Sequence, residues 1–515
     1  MIGHIFRKDA RLLYPQALLV AAIHLIRALL SATLASHPEL AELRVLEGVL
    51  PYVSMLGVIA LTAAVVHQDP LPDTSEDFLV RPIRRGDLLG AKLLFVALIV
   101  VGPVCLADVL EGVLLGFDPW TSCGAGVADA LSYFLLLSLP TMTLASVSRN
   151  LTELLAGALL LFLIDITLML VMSVSGQRDA LYGSGLEWTR SATVGVLFLI
   201  IAIVVLPAQY IRRTTSTSRS VLALGGLMGG MLLNFIPWTP SFALQQAVGA
   251  RDAAPITVAY APEIGPFRQP DSGSLPAQAP ANLPNFVPLF VPLRIDGVTG
   301  DDQLLVDRVA VRFRTPSGVT VYETTFRPNS RLRQWSGASH TTPSGSLLTF
   351  AQVSVPAPVF ARLQGIEANV DIDLFISVLR SHPAQILTAL NGVGASDDLH
   401  CSTRPDNAGD GLEVHCVSLR KSPSCLSFYL GYGPSGSHRP AHEECHPDYA
   451  PYRLAFSAQL VQRFDSTIAL SNSAGSAPSQ VVIVPYEAVL HVSRHLTIAS
   501  VQIANWQQIS GDRRS

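Results

Sequence analysis

Along roughly the first 240 residues the apolar positions do not alternate with polar ones; they run on. Seven stretches stay apolar for the roughly 20 residues that a helix needs to cross a hydrocarbon layer of about 30 Å. They are Tyr14–Ala35, Leu46–Val66, Leu93–Leu115, Val127–Val147, Leu151–Val174, Ala192–Ile211 and Val221–Trp238. Helices buried in a large soluble core would show a polar face at a 3.6-residue period, and these stretches are apolar nearly all round. Pro51, Pro103, Pro140 and Pro207 fall inside them, which a spanning helix tolerates because neighbours re-satisfy the freed backbone groups. The first stretch is too long for the apolar segment of a cleaved signal peptide, and further spans follow at once.

After Trp238 the pattern changes twice. Up to Pro292, prolines 262, 266, 270, 276, 280, 284, 288 and 292 recur, a density that bars helix and favours extended chain. Residues 239–292 are therefore expected to be a linker. Beyond it the alternation becomes period two. Leu304–Phe313 and Val319–Phe326 flank Thr315-Pro316-Ser317-Gly318, a hairpin signature. Further strands are predicted at Ser346–Val355, Ala368–Leu379, Leu412–Leu419, Leu426–Leu430, Arg453–Val461, Val481–Val489 and Leu496–Ala504, with a short helix at Pro358–Leu363. The predicted fold class is a membrane all-α bundle of about seven transmembrane helices followed by a mostly-β extracytoplasmic domain. Many short, evenly spaced strands make that domain a β-sandwich. The predicted organisation is an amphipathic cytoplasmic elbow over 1–13, a transmembrane domain over 14–238, the linker, and a β-rich domain over 293–515.

Composition sharpens this picture. The 515 residues are 49% hydrophobic and only 14% charged, where soluble proteins carry about a quarter charged residues. That excludes a disordered chain. With 35 basic and 39 acidic side chains the net charge is −4, so no nucleic acid partner is expected; membrane lipid is. Orientation follows from the loops. With the N-terminal segment cytoplasmic, the inner side holds Arg7, Lys8, Arg11, Arg81, Arg84, Arg85, Lys92, Arg149, Arg212, Arg213 and Arg219, and the outer side only Arg44, Arg178 and Arg190. The positive-inside rule selects that orientation. Seven crossings then place everything after Trp238 outside, with Trp120, Trp188 and Trp238 near the outer interface. Cys401, Cys416, Cys425 and Cys445 cluster in that outer part. In an oxidising compartment they read as two disulfides, with three connectivities open. Arginine outnumbers lysine, which hints at a GC-rich bacterial genome, so the expected location is a bacterial inner membrane with the β-rich domain periplasmic or extracellular.

The longest inner loop, between spans two and three, mixes acids, bases and apolar residues. Part of its charge anchors the membrane interface, but Asp73, Glu76, Asp77 and Phe78 need another reason. After Pro82 a short amphipathic helix can form with Ile83, Leu88 and Leu89 on its apolar side, suited to docking a cytosolic partner. The run Phe78-Leu79-Val80-Arg81-Pro82-Ile83-Arg84-Arg85, followed by Leu88-Leu89 and Lys92, resembles the second-loop pattern of type-2 ABC transporter permeases. Arg7-Lys8-Asp9-Ala10-Arg11 is similar to that family's amphipathic elbow. The resemblance covers about residues 1–215. It implies six spans per subunit, a homodimer or a heterodimer with another permease, and a loop helix contacting a separate cytosolic ATPase subunit. Phe78, Arg81, Pro82, Arg84, Arg85, Leu88 and Lys92 are the docking residues so implied. A seventh span and a large outer domain depart from many such permeases. No ATPase is encoded in the chain: Gly86–Lys92 has glycines and a lysine, but Leu93 follows and the spacing is not that of a phosphate loop.

Charges inside spans are costly and are either paired or functional. Counted from the inner ends of their spans, Arg27 and Asp165 lie at similar depth, near 20 Å at about 1.5 Å per residue. An Arg27–Asp165 pair, within or between subunits, is therefore expected. Asp108 and Glu111 lie nearer the outer face. Gly225, Gly226, Gly229 and Gly230 form two overlapping G-x-x-x-G patterns, a helix-packing face. His442-Glu443-Glu444-Cys445-His446 matches H-E-x-x-H, but Pro440 and Pro447 bracket it and remove the helix that zinc catalysis needs. No metal or cofactor is expected. The function expected is a permease-like export subunit without enzymatic activity of its own. The alternative is a non-transporting membrane sensor or scaffold whose β-rich domain binds a partner outside.

Overall fold

The computed structural model describes residues 1–36, 40–69, 84–175, 186–248, 256–265, 286–298, 302–326, 330–331, 340–341, 346–396, 399–406, 411–419, 425–432, 437–445, 462–469 and 478–507. Its helices are α1 (Ile2–Ser36), α2 (Arg44–His67), α3 (Arg85–Phe95), α4 (Gly102–Leu114), α5 (Pro119–Tyr133), α6 (Leu139–Val147), α7 (Leu151–Ser175), α8 (Glu187–Pro207), α9 (Thr215–Phe235) and α10 (Trp238–Val248). The strands and one further helix follow in order: β1 (Thr257–Tyr260), β2 (Phe286–Asp296), β3 (Gln303–Arg314), β4 (Thr320–Phe326), β5 (Ser330–Arg331), β6 (His340–Thr341), β7 (Leu347–Pro356), α11 (Ala357–Leu363), β8 (Glu367–Ser381), β9 (Gln385–Thr388), β10 (Val393–Ala395), β11 (Leu399–Pro405), β12 (Gly411–Ser418), β13 (Cys425–Tyr432), β14 (Ser437–Cys445), β15 (Gln462–Ala469) and β16 (Gln480–Gln502). The chain forms two compact units. One holds Met1–Leu244 with Ala384–Ser422 and Ser427–Ile483; the other holds Gln245–Pro383, Pro423–Leu426 and Val484–Ser515.

The first unit is a helical bundle with a small sheet. Among the described residues six helices are long and apolar enough to cross a membrane: Ile2–Ala35, Arg44–His67, Arg85–Leu114, Pro119–Val147, Leu151–Val171 and Trp188–Arg212. Their outward faces are greasy. Leu155, Leu159 and Phe162 of α7 are 56%, 56% and 60% exposed, a surface that only lipid solvates without penalty. The seventh expected span, Val221–Trp238, overlaps α9, which is 21 residues long and is not among these six. Residues 2–13, expected to be a separate elbow, instead continue without a break into the first span as one 35-residue helix. Three interior prolines each adjoin a π-helical turn: Pro103 follows Val96–Val101, Pro140 follows Phe134–Ser138, and Pro207 precedes Ala208–Arg212. A wider turn lets the helix pass a residue that lacks an N–H.

The small sheet of this unit has the order β10-β11-β12-β15, all antiparallel. It packs on the turn between α4 and α5. Phe117 lies 4.3 Å from the His400 ring, and Phe117, Ala125, Val417 and Leu419 share a buried cluster with Ala35 and Leu115 at its edge. Gly116 is there because the turn needs φ +90° and because a Cβ would press on His400 at 3.0 Å. Burial holds the His400 imidazole below its usual basicity, against the hydrogen bonds it donates to the backbone carbonyls of Leu115 and Ser396.

The second unit is β-rich. β1-β2-β7-β6 form one antiparallel sheet; β8 pairs with β3 and with the later part of β16, and β3 pairs with β4 and β5. Alternate residues of both sheets enter one core: Leu289, Val291, Leu293 and Ile295 from β2, Val309, Val311 and Phe313 from β3, Ile372, Leu374 and Ile376 from β8. The expected hairpin forms, with Gly318 at φ +87° and the Thr315 N–H donating to Val319 O. Two expectations change. Val481–Val489 and Leu496–Gln502 belong to one long strand, β16, which accommodates two register shifts, and Ile503 and Ala504 open a 3-10 turn. The expected linker is partly folded: β1 pairs Thr257–Tyr260 with Leu293–Asp296. Pro288 and Pro292 sit in β2, and the Ala261 N–H donates to Pro292 O. By strand alternation both missing N–H groups point to that side, away from β7. Arg453–Val461 lies outside the described residues.

Candidate functional site

The residues implied for docking divide sharply. Phe78, Arg81 and Pro82 lie outside the described residues. Arg84 precedes α3 in extended backbone, and Arg84 and Arg85 are exposed; Arg85 Nη1 donates to Ile211 O at 2.6 Å. Leu88 and Lys92 cannot present themselves to a partner, which corrects the expectation. Leu88 is 8% exposed in the bundle core, and Lys92 is fully buried. The reason is helical geometry: α3 starts beneath α1 and α2, and residues 88 and 92 are one turn apart on its inward face.

Lys92 builds a network at that end of the bundle. Its Nζ lies 2.9 Å from Asp9 Oδ2, 2.7 Å from Asp69 Oδ2 and 2.7 Å from Val65 O. Lys8 adds contacts of 3.1 Å to Asp69 and 3.5 Å to Asp9. Two lysines thus face two aspartates, one from α1 and one just past α2. Burial pushes the Asp69 carboxyl up, but Lys92 and Lys8 more than reverse this and hold it below the usual carboxylate range. Nearby, His67 Nε2 is 3.0 Å from Ser148 Oγ, and Arg219 reaches Val147 O and Glu153. All these helix ends gather at one side of the bundle; the α4–α5 turn with its small sheet is at the other.

A second ionic cluster lies toward that other side. The Arg27 guanidinium pairs with Asp108 and is 3.6 Å from Glu111. Within the chain the expected Arg27–Asp165 pair is thereby replaced. Asp165 instead accepts from Asn234 Nδ2 at 2.8 Å, and that amide also donates to Gly230 O. Equal depth was insufficient because α7 packs on α9, while α1 packs on α4. Asp108 and Glu111, three residues apart on one face of α4, carried the better signal. Asp129 and Tyr133, also buried here, went unnoticed in the sequence, as did Asp9 and Asp69 as partners of Lys92.

The four glycines of α9 serve two neighbours. A Cβ at Gly225 would overlap the Ile201 side chain of α8, and one at Gly226 the Leu161 side chain of α7. Gly230 leaves 3.1 Å to Leu168, and Gly229 a relaxed 3.7 Å to Leu197. In the small sheet Cys401 and Cys416 are directly opposed in register and form a disulfide; Cys425 is also disulfide-bonded. Cys445 ends β14, and its side chain is outside the described residues. Residues 442–445 of H-E-x-x-H lie in the strand β14 and not on the helix that a zinc site of this motif needs, and His446 lies outside the described residues. In the β-rich unit, Ser377 Oγ donates to Asp307 Oδ2 at 2.6 Å and contacts His491 Nδ1 at 2.7 Å; Gln245 Nε2 is 2.9 Å from His491 Nε2. With its one proton given to Asp307, the hydroxyl accepts from Nδ1–H, and the neutral ring accepts from Gln245. Burial pushes the His491 imidazole down to about 4.

No known family model matches the chain, and no curated protein matches it. Among solved structures it is similar to pT26-6p, at 7% identity over 40% of this chain and 61% of that one, with a TM-score of 0.11. It is similar also to red sea bream transglutaminase, at 10% identity over 52% of this chain and 35% of that one, with a TM-score of 0.12. In each case the chain spans less than two thirds of the structure it matches, and TM-scores this low carry no argument about fold or function.

Proposed function

We propose that the chain is a membrane-spanning, permease-like subunit of an ABC-type export system, worked by a separate cytosolic ATPase that docks on the loop between the second and third spans. One observation carries this reading: both bases of that loop are tied to the first span. Asp69 closes one end of the loop and Lys92 lies just past the other, and both join Asp9 in one buried ionic network. A buried pair resists separation by about 3–5 kcal/mol, so a push on the loop moves α1, α2 and α3 together. Through Arg85 and Ile211 it also reaches the end of α8. A loop that served only as an anchor would have no need of this clamp.

In this reading α9 crosses as a seventh span, the clamped end faces the cytosol of a bacterial inner membrane, and the disulfide-bearing sheet faces outward. The two-sheet unit is a β-sandwich, and the subunit pairs with a second copy or a second permease. Charge density supports the orientation, since Arg7, Lys8, Arg11, Arg85, Arg149, Arg212, Arg213 and Arg219 all belong to the clamped end. The test is recovery of a nucleotide-hydrolysing subunit with the full chain from membranes. Reversing Arg81, Arg84 and Arg85 to glutamate is expected to release it while the bundle stays folded. Recovery of no such subunit, or undiminished association after reversal, would overturn the reading in favour of a sensor or scaffold.

A further inference from the structure

The helical unit gathers an acidic cluster in the half that lies toward the α4–α5 turn. Asp108 and Glu111 are about one turn apart on α4, Asp129 and Tyr133 on α5, and His24 and Arg27 on α1; none is more than 4% exposed. At about 1.5 Å per residue, Asp108 is roughly 9 Å from the end of α4 and Asp129 roughly 15 Å from the start of α5. Asp108 and Asp129 are within hydrogen-bond reach of each other. An ionised carboxyl has only acceptors, so two of them hydrogen-bond only when a proton sits between them. Arg27 pairs with Asp108 and Glu111 and fixes the local counter-charge without supplying that proton.

His24 provides an independent observation. It is fully buried, neither ring nitrogen makes a hydrogen bond, and the ring stands edge-on to Tyr133 with centroids 6.2 Å apart. A neutral imidazole carries one donor and one acceptor, and leaving both unmet in an apolar interior is unfavourable. Such a side chain, next to the Arg27 and Tyr133 that act on the carboxyl pair, suits a guest that is a water or a proton. The groups acting on the pair are Arg27 from α1, Cys105 from α4 and Tyr133 from α5, which itself reaches Ser54 of α2; Glu111 of α4 and His24 of α1 both act on Arg27. Among the described residues no three imidazole, thiol or carboxyl groups are arranged to hold a metal ion.

The geometry points to a proton-binding site inside the bundle, in which Asp108 and Asp129 share one exchangeable proton, Arg27 is the fixed counter-charge and His24 holds the water that relays it. The step is protonation alone: the pair takes one proton from hydronium, water is released, and the pair's negative charge falls by one. The site stands independently of ATPase docking, because it concerns only the bundle.

Infrared titration of the full-length protein in lipid nanodiscs tests it. Wild-type protein carrying side-chain-labelled aspartate is expected to show a protonated-carboxyl band at neutral pH that moves with the isotope and disappears at strongly alkaline pH. Asp129→Asn should abolish the band, with folding checked by size-exclusion profile. The labelled wild type answers the question even if that variant fails to fold. Absence of the band, a band that alkali does not remove, or a band unchanged in folded Asp129→Asn would overturn the site. Loss of the band on adding sodium or potassium at constant pH would also overturn it, by assigning the site to a monovalent cation.

Discussion

Lys92 lies between two aspartates, and removing its ammonium strands the Asp9 carboxylate, which water cannot reach. Lys92→Met is therefore expected to cost about 3–5 kcal/mol, seen as a large drop in thermal stability of the detergent-solubilised protein. Lys8→Ala should cost less than about 1 kcal/mol, since Lys8 is 42% exposed and its pairs are solvent-screened. Equal losses in the two variants would contradict the assigned burial. His491 gives a pH signature. Its folded form titrates at about 4 and its unfolded form near 6.5, so between these values the unfolded chain binds more protons and stability falls as pH drops. The loss is about 3 kcal/mol at most, and in His491→Gln the unfolding transition of the β-rich unit should lose that slope. Sequence alone showed that charges were buried, since Arg27, Asp108, Glu111 and Asp165 interrupt apolar runs. It did not show which meet, because depth along a helix is read from residue counts and azimuth is not.

Runs and alternations made most elements legible: long apolar stretches became α1 to α8, and period-two segments became β3, β4, β7, β8 and β12. What stayed hidden depends on partners. The elbow merges into α1, β1 closes on β2 across a proline-rich stretch, and β16 runs through what reads as two strands. The paired glycines were visible as a motif, but only the packing assigns Gly225 to α8 and Gly226 to α7. Gly226→Val is expected to cost about 1–3 kcal/mol through overpacking, whereas Gly229→Ala should be nearly neutral because its Cβ would meet Leu197 at ordinary contact distance. Thermal shifts of the two variants decide this, and equal shifts would contradict the packing. Removing the disulfide with Cys401→Ser and Cys416→Ser should lower stability by about 2–4 kcal/mol, whereas Cys105→Ser and Cys123→Ser, at the free cysteines, should leave reductant sensitivity unchanged.

For the whole molecule, the sorting of charge and sulfur is the organising feature. Basic residues and the clamped loop collect at one end of the bundle, and the disulfide-bearing sheet packs on the turn at the other. An ATPase docking as proposed reaches the loop only if the first end faces inward, so the proposed docking, the proposed compartment and disulfide formation all depend on one orientation. Residues on the two ends can be labelled separately. In a background with Cys105→Ala and Cys123→Ala, single variants Val393→Cys, at an 83% exposed position on the small sheet, and Arg84→Cys, beside the loop, are treated with a membrane-impermeant maleimide on cells whose inner membrane is intact. The account predicts that Val393→Cys reacts at once and Arg84→Cys only after the membrane is opened. Labelling in the reverse order would contradict it.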